Sequence, residues 1–225
     1  GTIGETKTVA YLIEQMRAAG LQPGNNGSWT QDVPLVEMTP QNVSPLTFTT
    51  PRGTQSLTLG SDFVINSYRI VPETRITNSD VVFVGYGITA PEKNWDDYAG
   101  VDVRGKTVLI LVNDPDWQTP TVGGEFNGRA MTYYGRWDYK FAEAARHGAA
   151  AAIIIHDTEP AAYGWNVVQS SNTGASLLAD AADNHMGETL ANGWMQLPRA
   201  EALFTAAGLD FGALRTAAKQ RGFRA

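Results

Sequence analysis

Few residues in this chain are able to do chemistry, and their spacing decides which chemistry is open to them. There are three histidines, His147, His156 and His185, and no cysteine. The lack of cysteine removes thiolate nucleophiles, disulfides and cysteine-ligated metal. Histidine clusters with several carboxylates in one stretch only, Asp180-Ala-Ala-Asp183-Asn-His185-Met-Gly-Glu188. A metal site needs three or four ligands converging from rigid elements. This stretch contains a glycine and lacks the His-Glu-x-x-His spacing that sets two ligands on one helix face, so it reads as a solvated loop. His147 falls at the end of a helical segment, where a polar or positive group complements the dipole. His156 ends an apolar run, next to Asp157. The carboxylate pairs Asp96-Asp97 and Asp114/Asp116 have the composition for acid–base work. Carboxylates on turns more often hold backbone N–H groups, and that is the preferred reading. There is no Gly-x-Ser-x-Gly elbow to supply a serine nucleophile.

Two phosphate-binding fingerprints are present in letter but not in context. Gly100-Val-Asp-Val-Arg-Gly-Lys-Thr107 spells a P-loop. That loop binds phosphate because it opens a helix whose free N–H groups point at the ligand. Here the β-rich run Val108–Val112 follows instead, so the stretch reads as a turn entering a strand. Gly85-Tyr-Gly-Ile-Thr-Ala90 imitates a dinucleotide-binding turn, but Pro91 and a loop stand where the helix should begin.

The elements that must position these residues follow from periodicity. Thr6–Ala19 sets Val9, Leu12, Ile13 and Met16 on one apolar helix face, ended by Gly20 and Pro23. Trp29–Met38 has strand character broken by Pro34. Leu46–Thr49 and Leu57–Leu59 flank Pro51-Arg-Gly53 as a hairpin. Val81–Val84, Thr107–Val112 and Ala149–Ile155 are apolar runs of the kind buried on both faces of a sheet. Helices are expected over 137–146, capped by Gly148, and over 200–207 and 211–219. The aromatics Trp117, Phe126, Tyr133, Tyr134, Trp137, Tyr163 and Trp165 gather in the loop-like sequence between these runs. Rings of this kind either pack as satellite core or form a recognition surface.

Composition narrows the class. With 225 residues, 43% hydrophobic, the chain has enough apolar side chains for a buried core. Its net charge is −6 with lysine and arginine scattered, so it lacks the basic stripe of a nucleic-acid binder, and neither nucleic acid nor an anionic membrane is an expected partner. The longest apolar run, Ala149–Ile155, is far too short to span a bilayer. Gly1 is not a natural start, and the chain is expected to be an excised or processed piece.

The order of segments resembles a known family. Val81-Val-Phe-Val-Gly-Tyr-Gly-Ile-Thr-Ala-Pro-Glu92, then Trp95-Asp-Asp-Tyr-Ala-Gly-Val-Asp-Val-Arg-Gly-Lys-Thr-Val-Leu-Ile-Leu111, is similar to the protease-associated domain inserted in two-zinc aminopeptidases and their relatives, glutamate carboxypeptidase and transferrin receptor. The likeness continues through Tyr134–Asp157, where the family has a helix delivering a Gly-Ala pair into a buried strand. It also accounts for the false P-loop, since Asp-Val-Arg/Lys-Gly-Lys before a strand is common in these domains. Gly4–Pro23 and Trp29–Val36 resemble the first helix and strand of the peptidase domain.

The resemblance implies an α/β (α+β) fold: a compact, mostly β protease-associated domain over 41–225 with flanking helices, preceded over 1–40 by the helix and strand of a peptidase domain. It implies a non-catalytic region that gates or recognises peptide substrate, with the remaining peptidase domain as partner in cis. The family's zinc ligands include a His-x-Asp segment and a Glu-Glu pair, and this chain has neither. No catalytic or metal residue carries over, so the chain alone is expected to be inactive, to hold no cofactor, and to have its two zinc ions only in a longer enzyme. A periplasmic or secreted location goes with the family. Tyr133, Tyr134, Arg136 and Trp137 are the candidate substrate rim: Arg136 suits a carboxylate and the rings supply contact area. The plainer alternative is that these four cap and pack the helix starting there. At the level of function, the alternative is a stand-alone protein- or glycan-binding module.

Overall fold

The structure is a computed structural model that describes residues 2–120 and 122–224. The chain divides into two compact units, the first ending at Leu35 and the second starting at Val36. The first is built on α1 (Ile3–Ala18), whose N-cap Thr2 accepts from the Glu5 amide. The Arg17 guanidinium lies 5.5 Å from the Trp29 ring. No residue of α1 is buried.

In chain order the remaining elements are β1 (Leu35–Met38), β2 (Leu46–Thr50), β3 (Gly53–Leu57), β4 (Phe63–Asn66), β5 (Val81–Phe83), β6 (Thr89–Ala90), β7 (Trp95–Asp96) and β8 (Thr107–Leu111). There follow α2 (Trp137–Arg146), β9 (Ala151–His156), α3 (Thr158–Ala161), α4 (Trp165–Asn172), β10 (Ser176–Ala179), β11 (Ala191–Gln196), α5 (Leu197–Ala206) and α6 (Phe211–Ala217). The central sheet has the order β4-β11-β9-β8-β5. Four of its strands are parallel, and β4 runs antiparallel against β11. The α/β fold with flanking helices expected from the sequence is the one observed.

Alternation along the strands explains the two cores. Leu109, Leu111, Ile153, Ile155 and Met195 face one side, with Phe204 of α5, Phe211 of α6 and the β2–β3 hairpin. Val108, Ile110, Ala152, Ile154 and Trp194 face the other, with Phe141 and Ala144 of α2 and Val168 of α4. Successive side chains of a strand point to opposite faces, so a central strand covered on both sides must be apolar throughout, and every residue of β8 and β9 is buried. The run at Val81–Val84 departs from the expected two-sided burial. It becomes the edge strand β5, with a single neighbour, and Val81 is 42% exposed.

The strand expected over 29–38 forms only after Pro34, as β1, because proline cannot donate to a ladder. The P-loop look-alike is a turn into β8, with the Lys106 amide bonded to the Val103 carbonyl at 3.0 Å, and no helix follows. The Gly-Tyr-Gly turn after β5 needs glycine. Gly87 has φ +64°, and a Cβ there would stand 3.0 Å from Ile110 Cγ2.

Candidate recognition rim at the carboxyl edge of the sheet

Parallel strands end on one edge, which in open α/β sheets is where ligands bind. Here that edge collects Gly85–Gly87 after β5, Asn113 and Asp114 after β8, and His156 and Asp157 at the end of β9. A crossover between parallel strands must return along the sheet, so α2 starts at this edge, and the 3-10 turn Tyr133–Gly135 leads into it.

Beneath the rim lies a buried charge cluster. The Lys140 ammonium is fully buried and donates to the Tyr86 carbonyl at 2.7 Å. Asp97 accepts from the Ile88 amide at 3.0 Å and from Trp95 Nε1 at 2.8 Å. Asp114 accepts from the Thr132 amide at 2.7 Å and from Thr132 Oγ1 at 3.1 Å. Burial pushes the Asp97 carboxyl up to about 7, against its hydrogen bonds and the Lys140 charge. Burial likewise raises Asp114 to about 6. It lowers Lys140 to about 8, against the attraction of the two carboxylates. Sequence reasoning had no sign of this cluster beyond the two carboxylate pairs. Their other members also hold backbone amides, Asp96 that of Tyr98 at 2.9 Å and Asp116 that of Phe126 at 2.9 Å.

The four rim candidates separate. Tyr133 is 63% exposed and Trp137 42%. Arg136 is exposed, and its nearest carboxylate is Asp138 at 4.0 Å, a distance at which a surface ion pair contributes little. Tyr134 is held instead: its hydroxyl donates to Glu92 at 2.7 Å and its ring meets Phe126 and Tyr139 edge-on. Tyr163 lies close enough to Arg136 for that positive charge to oppose the rise that burial imposes on its phenol. Trp165 donates to the Gly60 carbonyl at 2.8 Å.

His156 is buried among Tyr163, Trp165 and Trp194. Neither ring nitrogen has a partner in hydrogen-bonding geometry, although the nearby Tyr163 backbone favours the charged form. Desolvation is the larger effect and lowers its pKa. His147 stacks on Tyr98 with centroids 4.0 Å apart, and its Nε2 lies 3.1 Å from Glu143 Oε1. His185 is half-buried, its Nε2 2.7 Å from the Ala179 carbonyl. Among the described residues no three His, Asp or Glu side chains come together as a metal site, the 180–188 stretch included.

The cavity under this edge is about 10 Å³, walled by Tyr86, Trp117, Leu197 and the Asp157–Arg215 ion pair. It has room for about one water and is too small to enclose a side chain of a ligand. A much larger open groove, about 1460 Å³, runs over the opposite end of the strands with Leu109, Ile153 and Phe83 on its floor. Of its charged residues, Glu73 and Arg75 pair with each other at 2.7 Å, both mostly exposed. Its polar lining also includes Asp80, Asn66 and the buried Thr107, whose hydroxyl donates to Ser79 Oγ at 3.0 Å.

Scanned against known protein families, the chain matches none, and no curated protein matches it. Among solved structures it is similar to an aminopeptidase from Aneurinibacillus sp. strain AM-1, at 19% identity with a TM-score of 0.42. The match covers 91% of this chain and 36% of that enzyme. At this level the likeness bears on neither activity nor substrate.

Proposed function

We propose that this chain is the non-catalytic, protease-associated region of a zinc-dependent aminopeptidase, which recognises or gates peptide beside an active site carried elsewhere in a longer protein. The observation that carries the reading is the rim itself: Tyr133, Arg136 and Trp137 are all exposed where the chain enters α2, and the nearest carboxylate to Arg136 is Asp138 at 4.0 Å. Tyr and Trp supply contact area at low entropic cost, and arginine binds a carboxylate through two parallel hydrogen bonds. The order of segments that resembles the family supports the same reading. The described residues do not fit a zinc pair, so no catalytic step is assigned to them. The preferred ligand is a peptide bearing a carboxylate next to apolar side chains. A periplasmic or secreted location belongs to the same proposal.

Zinc content and hydrolysis of aminoacyl reporters test this on the chain alone and on a protein extended through a peptidase domain. The expected result is about two zinc ions and turnover in the extended protein only. In that protein Arg136→Ala should raise KM for carboxylate-bearing peptides about tenfold with kcat little changed. Metal binding and hydrolysis by the short chain alone would overturn the reading. Glycan binding at the same rim, with no peptide binding, would favour a stand-alone module.

A further inference from the structure

We infer that Asp114 is the positioning residue of the rim: its buried carboxylate holds the turn that presents Tyr133, Arg136 and Trp137, and the charge it shares with Lys140 and Asp97 ties the setting of that turn to pH. The inference deepens the proposed function and rests on it for the peptide alone. The chain of contacts begins at β8. Asn113, in left-handed backbone at φ +68°, accepts the Asp114 amide at 2.7 Å and donates to the Pro160 carbonyl at 2.7 Å. That fixes the direction in which Asp114 leaves the sheet. Its two oxygens then take both donors of Thr132, and Thr132 Oγ1 in turn accepts the Tyr134 amide at 3.2 Å. The next turn packs directly on the carboxylate: a Cβ at Gly135 would stand 2.8 Å from Asp114 Oδ1 and 2.6 Å from Met131 Cγ. A side chain there would force Met131 or Asp114 to shift, so the turn is seated against Asp114.

The charge balance is uneven. Two carboxylates share one ammonium, and the other ionisable groups facing them are Asp116 beside Asp114, Asp96 beside Asp97, and the phenols of Tyr86 and Tyr98, with Arg215 acting on Tyr86. A site with surplus negative charge in a dry interior takes up a proton readily. When Asp114 takes it, the charge-assisted bonds to Thr132 become neutral ones of about half the strength.

The test is NMR on the intact chain, following the Thr132 amide across pH 5 to 8, with the β9 amides Ile153–Ile155 as the control for folding. The expected result is a protected Thr132 amide whose shift titrates with a midpoint near 6. Asp114→Asn should abolish that titration, speed Thr132 exchange about tenfold and weaken peptide binding by a similar factor. A flat wild-type titration overturns the inference. So does unchanged Thr132 exchange in a folded Asp114→Asn variant. The wild-type titration decides the question even if the variant unfolds. A titrating Thr132 in a chain that binds no peptide at any pH supports the positioning role and overturns the proposed function.

Discussion

Helices α1 and α2 look alike in sequence and differ in what they bury. Both carry apolar residues at three- and four-residue spacings. The longer, α1, buries none of its 16 residues, and Leu12 and Met16 are 46% and 41% exposed. The shorter, α2, buries five of ten, a lysine and a glutamate among them. Periodicity specifies a helix with an apolar face; it does not specify what that face meets. In α2 the meeting surface is the buried, mostly apolar pair β8–β9, and its burial is strong enough to take charged groups in with it. Most helical stability comes from such packing rather than from intrinsic propensity.

Truncating α2's buried ring should break the comparison most sharply. Phe141 touches Tyr68, Trp137 and Trp194, and Phe141→Ala should cost about 3–5 kcal/mol, measured by urea denaturation. Lys140→Met comes next. It leaves Asp97 and Asp114 without their counter-charge, at about 3 kcal/mol near pH 8, and less near pH 5, where the carboxyls are free to take up protons. A loss independent of pH would show that the cluster is held by packing alone.

The pH dependence has a definite sign. The folded-state carboxyls of Asp97 and Asp114 are raised, to about 7 and about 6, from an ordinary 3.8. The folded protein therefore binds more protons than the unfolded chain in that window, and their contribution to stability is lost as pH rises from about 4 to 7. Lys140 is lowered to about 8 from 10.5. Its folded form binds fewer protons there, so its contribution is present above 10.5 and lost as pH falls to 8. The cluster should stabilise least between pH 7 and 8. Asp97→Asn should flatten the acid side of this profile, read from denaturation midpoints across pH. The smallest effect belongs to α1, where Leu12→Ala should stay within about 0.5 kcal/mol of wild type. A larger loss would show that α1 buries more in solution than its exposure indicates.

The candidate rim is legible in the sequence as residue types, and little of it as contacts. Tyr133, Arg136 and Trp137 stood out because aromatics beside an arginine at a helix start are unusual enough to notice. That Tyr134 would be tied to Glu92, 42 residues away, was not visible, because hydrogen bonds between distant segments leave no local pattern. Lys140 gave no signal at all. A lysine between Tyr139 and Phe141 looks like a solvated residue on a mixed helix; the carbonyl of Tyr86, brought in by the turn after β5, and the Asp97 and Asp114 carboxylates make its burial tolerable. His156 ends an apolar run as expected, but its burial depends on Tyr163 and Trp165, brought over it by the segment from α3 to α4.

The sequence by itself determined the α/β character, the buried strands β8 and β9, helix α2 and the hairpin, because apolar runs and helical spacing are local and directly physical. It also ruled out cysteine chemistry and the phosphate loops, whose context is read within ten residues. The tertiary structure alone decided that β5 would be an edge strand, that β4 and β11 would complete the sheet, and that Asp97, Asp114 and Lys140 would share one buried site. Those outcomes depend on which distant segments become neighbours, and desolvation, which sets the charge of such a site, acts only after they have met.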